Sequence, residues 1–344
     1  MKILITGGGG FIGSRLASAL LARGRLGGAA IERIVLADQV APVPQLASDP
    51  RVATRVGKLA EQCDALAREG FDGVFHLASA VSGECEADFD LGLRSNLDTT
   101  RALLDALRAA TTRGARPARL VFSSSVAVYG PDPSVPLPAL VGDDTLTTPK
   151  TSYGTHKLMC EHLVADYSRK GFVDGRSARL MTVTVRPGRP NGAASSFFSG
   201  IVREPLAGVE AICPVSPDVS HPLTSAARTV EGLIAVYEAS VDQLGGRLAL
   251  NLPALNATVA EMLAALEEVA GPEVRERVRF VRDETIANIV ANWPRGATAR
   301  RAEKLGLLPE KSFADVIRRY IADCRAAPDA AETLKGLDPR RVSA

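Results

Sequence analysis

A glycine-rich run near the N-terminus constrains the fold of this 344-residue chain more than any other feature. The run contains glycine at each position from Gly7 to Gly10 and again at Gly13, between an apolar segment, Lys2–Thr6, and a segment with helical spacing, Phe11–Arg23. A strand, a glycine loop and a helix in this order present free backbone N–H groups and the positive end of a helix dipole. Because a nucleotide pyrophosphate requires both, the run predicts a dinucleotide-binding site.

Two glycine registers fit the run. Gly8, Gly10 and Gly13 match the pattern G-x-G-x-x-G, whereas Gly7, Gly10 and Gly13 match a more widely spaced one. In the wider register the predicted cofactor-binding residues of the loop are Gly7, Gly10, Phe11, Ile12 and Gly13.

Short apolar runs alternate with amphipathic stretches through the first half of the chain. Nearly continuous apolar runs are typical of strands buried on both faces, and strand–helix alternation is typical of a doubly wound parallel sheet. The pattern predicts an α/β, Rossmann-like fold. The predicted strands are Lys2–Thr6, Ile34–Ala37, Gly73–Ala78, Arg119–Ser123 and Ala178–Val185. The predicted helices are Phe11–Arg23, Cys63–Glu69, Leu91–Ala110 and Tyr153–Lys170.

The character of the chain changes after Pro187, where Pro and Gly become frequent. We expect a dinucleotide-binding domain at 1–187, regained in part by about 223–253, and a smaller C-terminal substrate-binding region at 188–222 and 254–326. Residues 327–344, rich in Ala, Asp and Arg, are expected to form a weakly ordered tail.

Asp38 ends the second predicted strand of the sheet. A carboxylate there can accept hydrogen bonds from both hydroxyls of the adenosine ribose and would repel a 2′-phosphate. The sequence therefore favours NAD over NADP as the cofactor. The alternative is a carboxylate that faces solvent.

Tyr153 and Lys157 are four residues apart and lie on the same face of one predicted helix. A free phenol has a pKa of about 10 and is a poor base at neutral pH. A nearby cation and the positive charge of oxidised nicotinamide both favour the phenolate. Such a pair is common by chance, but Ser125 follows a predicted strand at the carboxyl edge of the sheet, where α/β folds bind their ligands. The pattern predicts Ser125, Tyr153 and Lys157 as catalytic residues, with Ser124 as the alternative serine.

These motifs together resemble the extended short-chain dehydrogenase/reductase family, which includes the sugar-nucleotide epimerases. The resemblance covers about the first 190 residues: T-G-x-x-G-x-x-G from Thr6, Asp38, F-H-L-A from Phe75, Asn96, S-S-x-x-x-Y-G from Ser124 and Y-x-x-x-K from Tyr153. It implies the wider glycine register and a homodimer. It also implies that Leu77, Ala78 and Ala80 line the cofactor channel, with Asn96 behind the nicotinamide. His76 lies in an apolar strand and is expected to be structural.

Two loops narrow the predicted substrate. The segments beginning at Ala80 and at Arg186 differ from the usual epimerase loops and resemble a branch of the family that oxidises a four-carbon aldonate at C2. That resemblance implies D-erythronate as the substrate and 2-oxo-erythronate as the product. A small hydroxy acid needs a cation or hydrogen-bond donors for its carboxylate and polar groups for its hydroxyls. The predicted substrate-binding residues are Ser82, Ser125, Tyr153, Asn191, His221 and Arg228. Capping or solvent-facing roles are the alternatives for His221 and Arg228.

Composition excludes several other classes. The formal net charge of +2 gives no strong attraction to nucleic acid or acidic membranes, and no apolar stretch has transmembrane length. The five cysteines are scattered without a C-x-x-C pair, which is typical of free thiols in the cytoplasm. The four histidines have no metal-binding spacing, so we expect no metal site.

Two other functions fit the motifs in part. A nucleotide-sugar epimerase or dehydratase would recycle NAD instead of releasing NADH, but it needs groups for a diphosphate, and the region after Pro187 has few basic clusters. A sensor that binds the cofactor without chemistry would not need both Tyr153 and Lys157.

Overall fold

The computed structural model describes residues 1–188 and 193–338. The strands are β1 Lys2–Thr6, β2 Arg25–Leu26, β3 Ala29–Ala30, β4 Arg33–Asp38, β5 Val52–Val56, β6 Gly73–His76, β7 Arg119–Ser125, β8 Asp174–Leu180, β9 Thr182–Val183, β10 Ala211–Cys213, β11 Ser220–Thr224, β12 Leu250–Asn251, β13 Leu255–Thr258 and β14 Val278–Phe280. The helices are α1 Phe11–Arg23, α2 Pro44–Ala47, α3 Leu59–Glu69, α4 Ser82–Ala87, α5 Phe89–Gly92, α6 Thr99–Thr112, α7 Ser152–Arg169, α8 Ser196–Leu206, α9 Ala226–Glu238, α10 Val241–Leu244, α11 Val259–Ala270, α12 Pro272–Arg275, α13 Glu284–Ala291, α14 Arg300–Glu303, α15 Phe313–Arg325 and α16 Ala330–Thr333. A π-helical segment, Leu93–Asp98, and a 3₁₀ turn, Val126–Val128, complete the assignment.

Seven strands form a sheet in the order β12-β8-β7-β6-β1-β4-β5, with every neighbouring pair parallel. Successive side chains of β1 enter opposite layers, because a strand points alternate residues to opposite faces. Ile3 and Ile5 pack with α1 and α9, whereas Leu4 packs with α3, α6 and α7. Both faces are therefore covered by helices, and the predicted doubly wound sheet is confirmed.

The predicted helix Leu91–Ala110 is interrupted in the structure. Residues of α5 and α6 flank the π-helical segment, and Thr99 Oγ1 donates to the Arg94 carbonyl oxygen at 2.8 Å inside it. The hydrophobic pattern of the sequence does not reveal this π-helical turn, because the residues before it and those after it each keep ordinary helical spacing. The predicted strand Ala178–Val185 also differs. Its main strand, β8, ends at Leu180, and β9 pairs instead with β11 in a separate small sheet.

The second half of the chain has its own apolar core. Side chains of α8, α11 and α15 pack there with those of the strands β10, β11 and β14. The part around α9 and β12 belongs to the large sheet, since β12 pairs with β8 and α9 packs against α1.

The described part of the expected tail, 327–338, is ordered. Ala330–Thr333 is helical, and Leu337 is buried in the core of the second half. Gly336 N–H donates to the Leu206 carbonyl oxygen at 2.8 Å, in a space that a side chain would fill. Leu337 and Gly336 therefore attach this segment to the rest of the protein, which the Ala-, Asp- and Arg-rich composition did not indicate. Among the helices at 1–188 and 193–338, none is long and apolar enough to cross a membrane.

Candidate active site

A cavity of about 2040 Å³ follows the carboxyl edge of the large sheet and continues between the two halves of the chain. Its wall begins at the glycine loop, passes Ser125, Tyr153 and Lys157, and ends among residues of α8 and α13. The predicted cofactor and catalytic residues therefore share one space. This is the edge at which open α/β sheets bind their ligands.

The glycine loop approaches neighbouring backbone too closely for side chains at Gly7, Gly9 and Gly13. A Cβ at Gly7, which has a φ of 72°, would lie 2.8 Å from the backbone N of Ala78, and a Cβ at Gly13 would lie 2.1 Å from the Gly7 carbonyl oxygen. Gly7, Gly10 and Gly13 line the cavity together with Phe11 and Ile12, the first residues of α1. This cradle fits a pyrophosphate, and its geometry agrees with the wider register.

Asp38 lies at the end of β4, beside the glycine loop. Its Oδ2 accepts from the Gly9 N–H at 3.0 Å, and its Oδ1 accepts from the Val40 N–H at 3.2 Å. Two backbone donors hold the carboxylate in place while it still forms part of the cavity wall. The position suits a carboxylate that receives ribose hydroxyls.

Tyr153 lies in the first turn of α7, which Thr151 caps by accepting from the Gly154 N–H at 3.0 Å. The side chain of Ser125, at the end of β7, lies beside this phenol, and its hydroxyl oxygen accepts from the Ala127 N–H at 3.1 Å. Burial raises the pKa of Tyr153 to about 12, although the neighbouring Ser125 side chain opposes that shift. The protein's own groups thus do not lower this pKa, in contrast to the expectation for a cation one turn away.

The ammonium group of Lys157 explains this difference. It donates to the Ser123 carbonyl oxygen at 2.8 Å and lies 5.5 Å from the centre of the Tyr153 ring, so it is directed past the phenol and not at its oxygen. Burial lowers the pKa of Lys157 to about 8. The side chain still carries a charge at neutral pH, close to the place where a nicotinamide ribose would lie in a Rossmann-like site.

Ser124, the alternative serine, is committed elsewhere. Its hydroxyl donates to the carboxylate of Glu161, which also forms a two-pronged ion pair with Arg179 at 2.9 and 2.7 Å. Arg179 in turn donates to the Tyr129 hydroxyl at 2.7 Å. This buried chain joins β7, α7 and β8, so it holds the strand end that carries Ser125. Of the two serines, only Ser125 is brought to Tyr153.

His76 is fully enclosed and neutral. Thr100 donates to the Asn96 carbonyl oxygen at 2.6 Å, so it accepts from His76 Nε2 at 2.9 Å. His76 Nδ1 therefore accepts from the Thr6 hydroxyl at 2.7 Å. Burial lowers the pKa of His76 to about 3. Because Thr6 Oγ1 also accepts from the N–H of Ala78, this string of hydrogen bonds ties β1 to the cavity wall.

Asn96 braces the next part of that wall. Its Oδ1 accepts from the Ala80 N–H at 2.7 Å and from the Ser79 hydroxyl at 3.0 Å, and its Nδ2 donates to the Ala80 carbonyl oxygen at 3.3 Å. Leu77, Ala78 and Ala80 line the cavity, whereas the Asn96 side chain lies behind them. The π-helical segment turns Asn96 toward this loop.

Besides Ser125 and Tyr153, four substrate-binding residues were predicted, and they have different outcomes. Ser82 and His221 line the cavity, but His221 Nε2 accepts from Thr182 at 2.7 Å and its Nδ1 donates to the Pro294 carbonyl oxygen at 3.0 Å. Burial lowers the pKa of His221 to about 4, so the ring is neutral. Asn191 lies outside the described residues.

Arg228 is not brought to the cavity. It lies in the first turn of α9, outside the cavity wall, and pairs with Glu231 at 2.6 Å. The reason is local: the two side chains are three residues apart on one helix surface, where they meet readily. The alternative of a solvent-facing charge describes Arg228 better than substrate binding.

Among the polar residues of the cavity wall that sequence reasoning missed are Thr182, Arg186 and Arg203. Arg186 begins one of the two loops that resemble the aldonate-oxidising branch of the family, and Arg203 follows it in α8. No spacing rule marks them, because they reach the cavity from different elements.

Comparison with known proteins agrees with this geometry. The sequence profile of the NAD dependent epimerase/dehydratase family matches residues 3–240. The chain is 48% identical over 335 residues to D-erythronate dehydrogenase of Cupriavidus necator, covering 95% of this chain and 100% of that protein. It is 42% identical over 323 residues to D-erythronate dehydrogenase of Haemophilus influenzae, with coverages of 93% and 99%. A solved nucleoside-diphosphate-sugar epimerase from Agrobacterium tumefaciens superimposes with a TM-score of 0.89 at 42% identity, covering 94% of each chain.

Proposed function

This chain belongs to the NAD-dependent epimerase/dehydratase family, and we propose that it oxidises D-erythronate at C2 to 2-oxo-erythronate, with release of NADH. It is an NAD-dependent oxidoreductase by family and by its nearly full-length similarity to two dehydrogenases. The observation that carries the substrate proposal is the shared wall of Ser125, Tyr153 and the glycine cradle, in a chain whose named relatives act on D-erythronate.

The side chains of this protein divide the reaction between them. Ser125 holds the C2 hydroxyl by a hydrogen bond, and Tyr153 takes its proton as C2 becomes a carbonyl carbon. Lys157, held on the Ser123 carbonyl oxygen, acts in this proposal by donating to a ribose hydroxyl of the cofactor. When bound, NAD supplies the acceptor for the hydride that leaves C2 and, in its oxidised form, a positive charge beside the phenol.

That added charge matters because burial raises the pKa of Tyr153 to about 12. A phenol with this pKa does not act as a base at neutral pH by itself. We infer that Tyr153 acts as a base when oxidised NAD is bound, because the positive charge of the nicotinamide favours the phenolate. Gly7, Gly10, Phe11, Ile12 and Gly13 hold the pyrophosphate in this proposal, and Asp38 holds the adenosine ribose. Leu77, Ala78 and Ala80 line the channel, with Asn96 as their support.

Ser82 and His221 are proposed to face the substrate hydroxyls, since both line the cavity. His221 acts there by orienting the Thr182 hydroxyl, because its own ring nitrogens are already engaged. A homodimer in the cytoplasm completes the proposal. The five cysteines are free and buried, as suits a reducing compartment.

A direct assay tests the substrate. Purified protein with NAD and D-erythronate should give a rise in nicotinamide absorbance at 340 nm, and L-erythronate and L-threonate serve as stereochemical controls. Light scattering tests the dimer. Turnover of another aldonate without turnover of D-erythronate would disprove the substrate assignment.

A sugar-nucleotide epimerase is the second candidate, because the similar solved structure carries that name. It predicts conversion of a UDP-sugar without net NADH. The same purified protein, incubated with UDP-glucose and analysed by chromatography, separates the two functions.

A further inference from the structure

The peptide backbone at Arg186 is held from both sides by one helix. The Arg186 N–H donates to Ser199 Oγ at 2.9 Å, and Arg203 Nη1 donates to the Arg186 carbonyl oxygen at 2.8 Å. Ser199 and Arg203 are four residues apart on α8, so they lie on the same helix face. Together they fix both peptide groups of one loop residue.

This clamp has an unfavourable component. Arg203 is buried and pairs with the carboxylate of Glu204, whose Oε2 is buried without a partner among the described residues. Buried ion pairs are often no more stable than apolar side chains of the same size, because desolvation opposes their attraction. The Arg203–Glu204 pair is therefore weak evidence for a stabilising role. Its clear structural effect is that Arg203 holds the Arg186 carbonyl oxygen in place.

The Arg186 guanidinium lies at the substrate end of the cavity without a partner among the described residues. It is exposed and part of the cavity wall. Three other cations of the wall are engaged: Lys157 on the Ser123 carbonyl oxygen, Lys150 with Asp132 and Arg203 with Glu204. Arg94 is also exposed in the wall and has no side-chain partner among the described residues, so it serves as the comparison for Arg186.

The strand register connects Arg186 to the reacting groups. Ser125 of β7 is the direct neighbour of Leu180 at the end of β8. The cavity wall then continues along the chain from Leu180 through Thr182 to Arg186. The segment that carries Arg186 therefore starts beside the proposed hydroxyl-binding serine.

We propose that Arg186 binds the carboxylate of the substrate, and that Ser199 and Arg203 position it. This rests on the proposed oxidation of a 2-hydroxy acid. A guanidinium presents two parallel N–H donors that match a carboxylate, so Arg186 would select acids over neutral polyols and fix which face of C2 meets the nicotinamide.

The test compares an acid with its amide. For the wild type and for Arg186→Met, kcat/KM is measured on D-erythronate and on D-erythronamide, which lacks the charge but keeps the hydroxyls. We expect the acid-to-amide ratio to fall about 10- to 100-fold in Arg186→Met, mostly through KM, because a charge-assisted bond is lost. Arg186→Lys should fall between the two, since lysine keeps the charge without the two-pronged geometry.

Matched variants separate binding from general damage. Arg228→Met makes the same change on the same half of the chain but away from the cavity wall, and should leave the ratio unchanged. The NAD dissociation constant of Arg186→Met should equal that of the wild type, which shows an intact fold. An unchanged ratio in Arg186→Met would overturn the proposal, and so would an equal loss in Arg94→Met, the other exposed arginine of the wall.

Failure of the proposed function gives a different result. If the wild type oxidises another 2-hydroxy acid, the ratio is measured on that acid and its amide, and the role of Arg186 stands or falls on it. If only a UDP-sugar is converted, both proposals are wrong.

Discussion

The two ends of the cavity are built in different ways. At the cofactor end, Gly7 and Gly13 bring backbone against backbone, and two backbone N–H groups hold Asp38. At the substrate end, side chains do the work: Arg203 reaches back from α8 to the loop at Arg186. The shape of the cofactor end is set by close backbone packing, whereas the shape of the substrate end is set by contacts between side chains that are distant in sequence.

The contrast predicts different tolerance to change. A backbone cradle accepts any residue that leaves the main chain in place, but it fails when a Cβ is added at a close contact. A side-chain pocket can exchange residues one at a time, and each exchange alters affinity or selectivity without altering the scaffold. Variants at each end, and at the tyrosine between them, test this view.

The largest effect is expected where the two ends meet. Tyr153→Phe should lower kcat by about 10²-fold or more, because removing a general base costs about that much. NAD binding should persist, since the cradle is untouched. Stopped-flow or steady-state absorbance gives kcat, and Tyr167→Phe, on the far end of α7 and bonded to Asp105, is the matched control. Normal turnover in Tyr153→Phe would exclude the proposed base.

A smaller but still large effect is expected at the cradle. Gly13→Ala places a Cβ 2.1 Å from the Gly7 carbonyl oxygen, so the loop must shift and NAD affinity should fall by about tenfold or more. Gly10→Ala meets the same oxygen at 3.2 Å and should be milder. Calorimetric titration with NAD measures both. Equal NAD affinities for the two variants would show that NAD binding does not depend on the close contact between Gly13 and the Gly7 carbonyl oxygen.

The smallest effect concerns pH and stability. His76 and His221 are buried and neutral, one in each region, with pKa values lowered to about 3 and 4. The unfolded chain binds these protons from about pH 6.5 downward, so stability is present above that pH and is lost as pH falls. Between pH 7 and 5 each histidine should lower the free energy of unfolding by about 2 kcal/mol.

Denaturant unfolding at the two pH values measures this loss. His76→Gln and His221→Gln should each reduce the pH dependence, whereas His162→Gln, at an exposed position, should not. If each variant changes a separate transition, the two regions unfold independently. If both change one transition, they unfold together.

Much of the cofactor end could be predicted from sequence for a physical reason. The strand β1 and the helix α1 have the bounds that the apolar pattern predicts, since glycine marks the loop between them. Ser125 followed from its place at a strand end. Close backbone approaches require glycine, and strand ends follow from the apolar pattern, so both can be predicted from a single sequence.

The residues of the substrate end could not be predicted in this way. Arg228 has the right chemistry but lies on a helix surface with its own partner, Glu231. Arg186 and Arg203 meet only because α8 folds back over the loop, which no spacing along the chain indicates. The pKa of Tyr153 was also beyond the sequence, since it is raised by burial of the phenol, while Lys157 donates to the Ser123 carbonyl oxygen.

The π-helical segment Leu93–Asp98 carries an evolutionary consequence. A π turn is equivalent to one residue inserted into an α-helix, and each residue of an α-helix turns it by about 100°. Deleting one residue here would restore a regular helix and rotate Asn96 away from the loop at Ala80. A homologue that lacked this residue would have to support its cofactor wall with other side chains, so we expect the length of this helix to vary less among homologues than its surface composition.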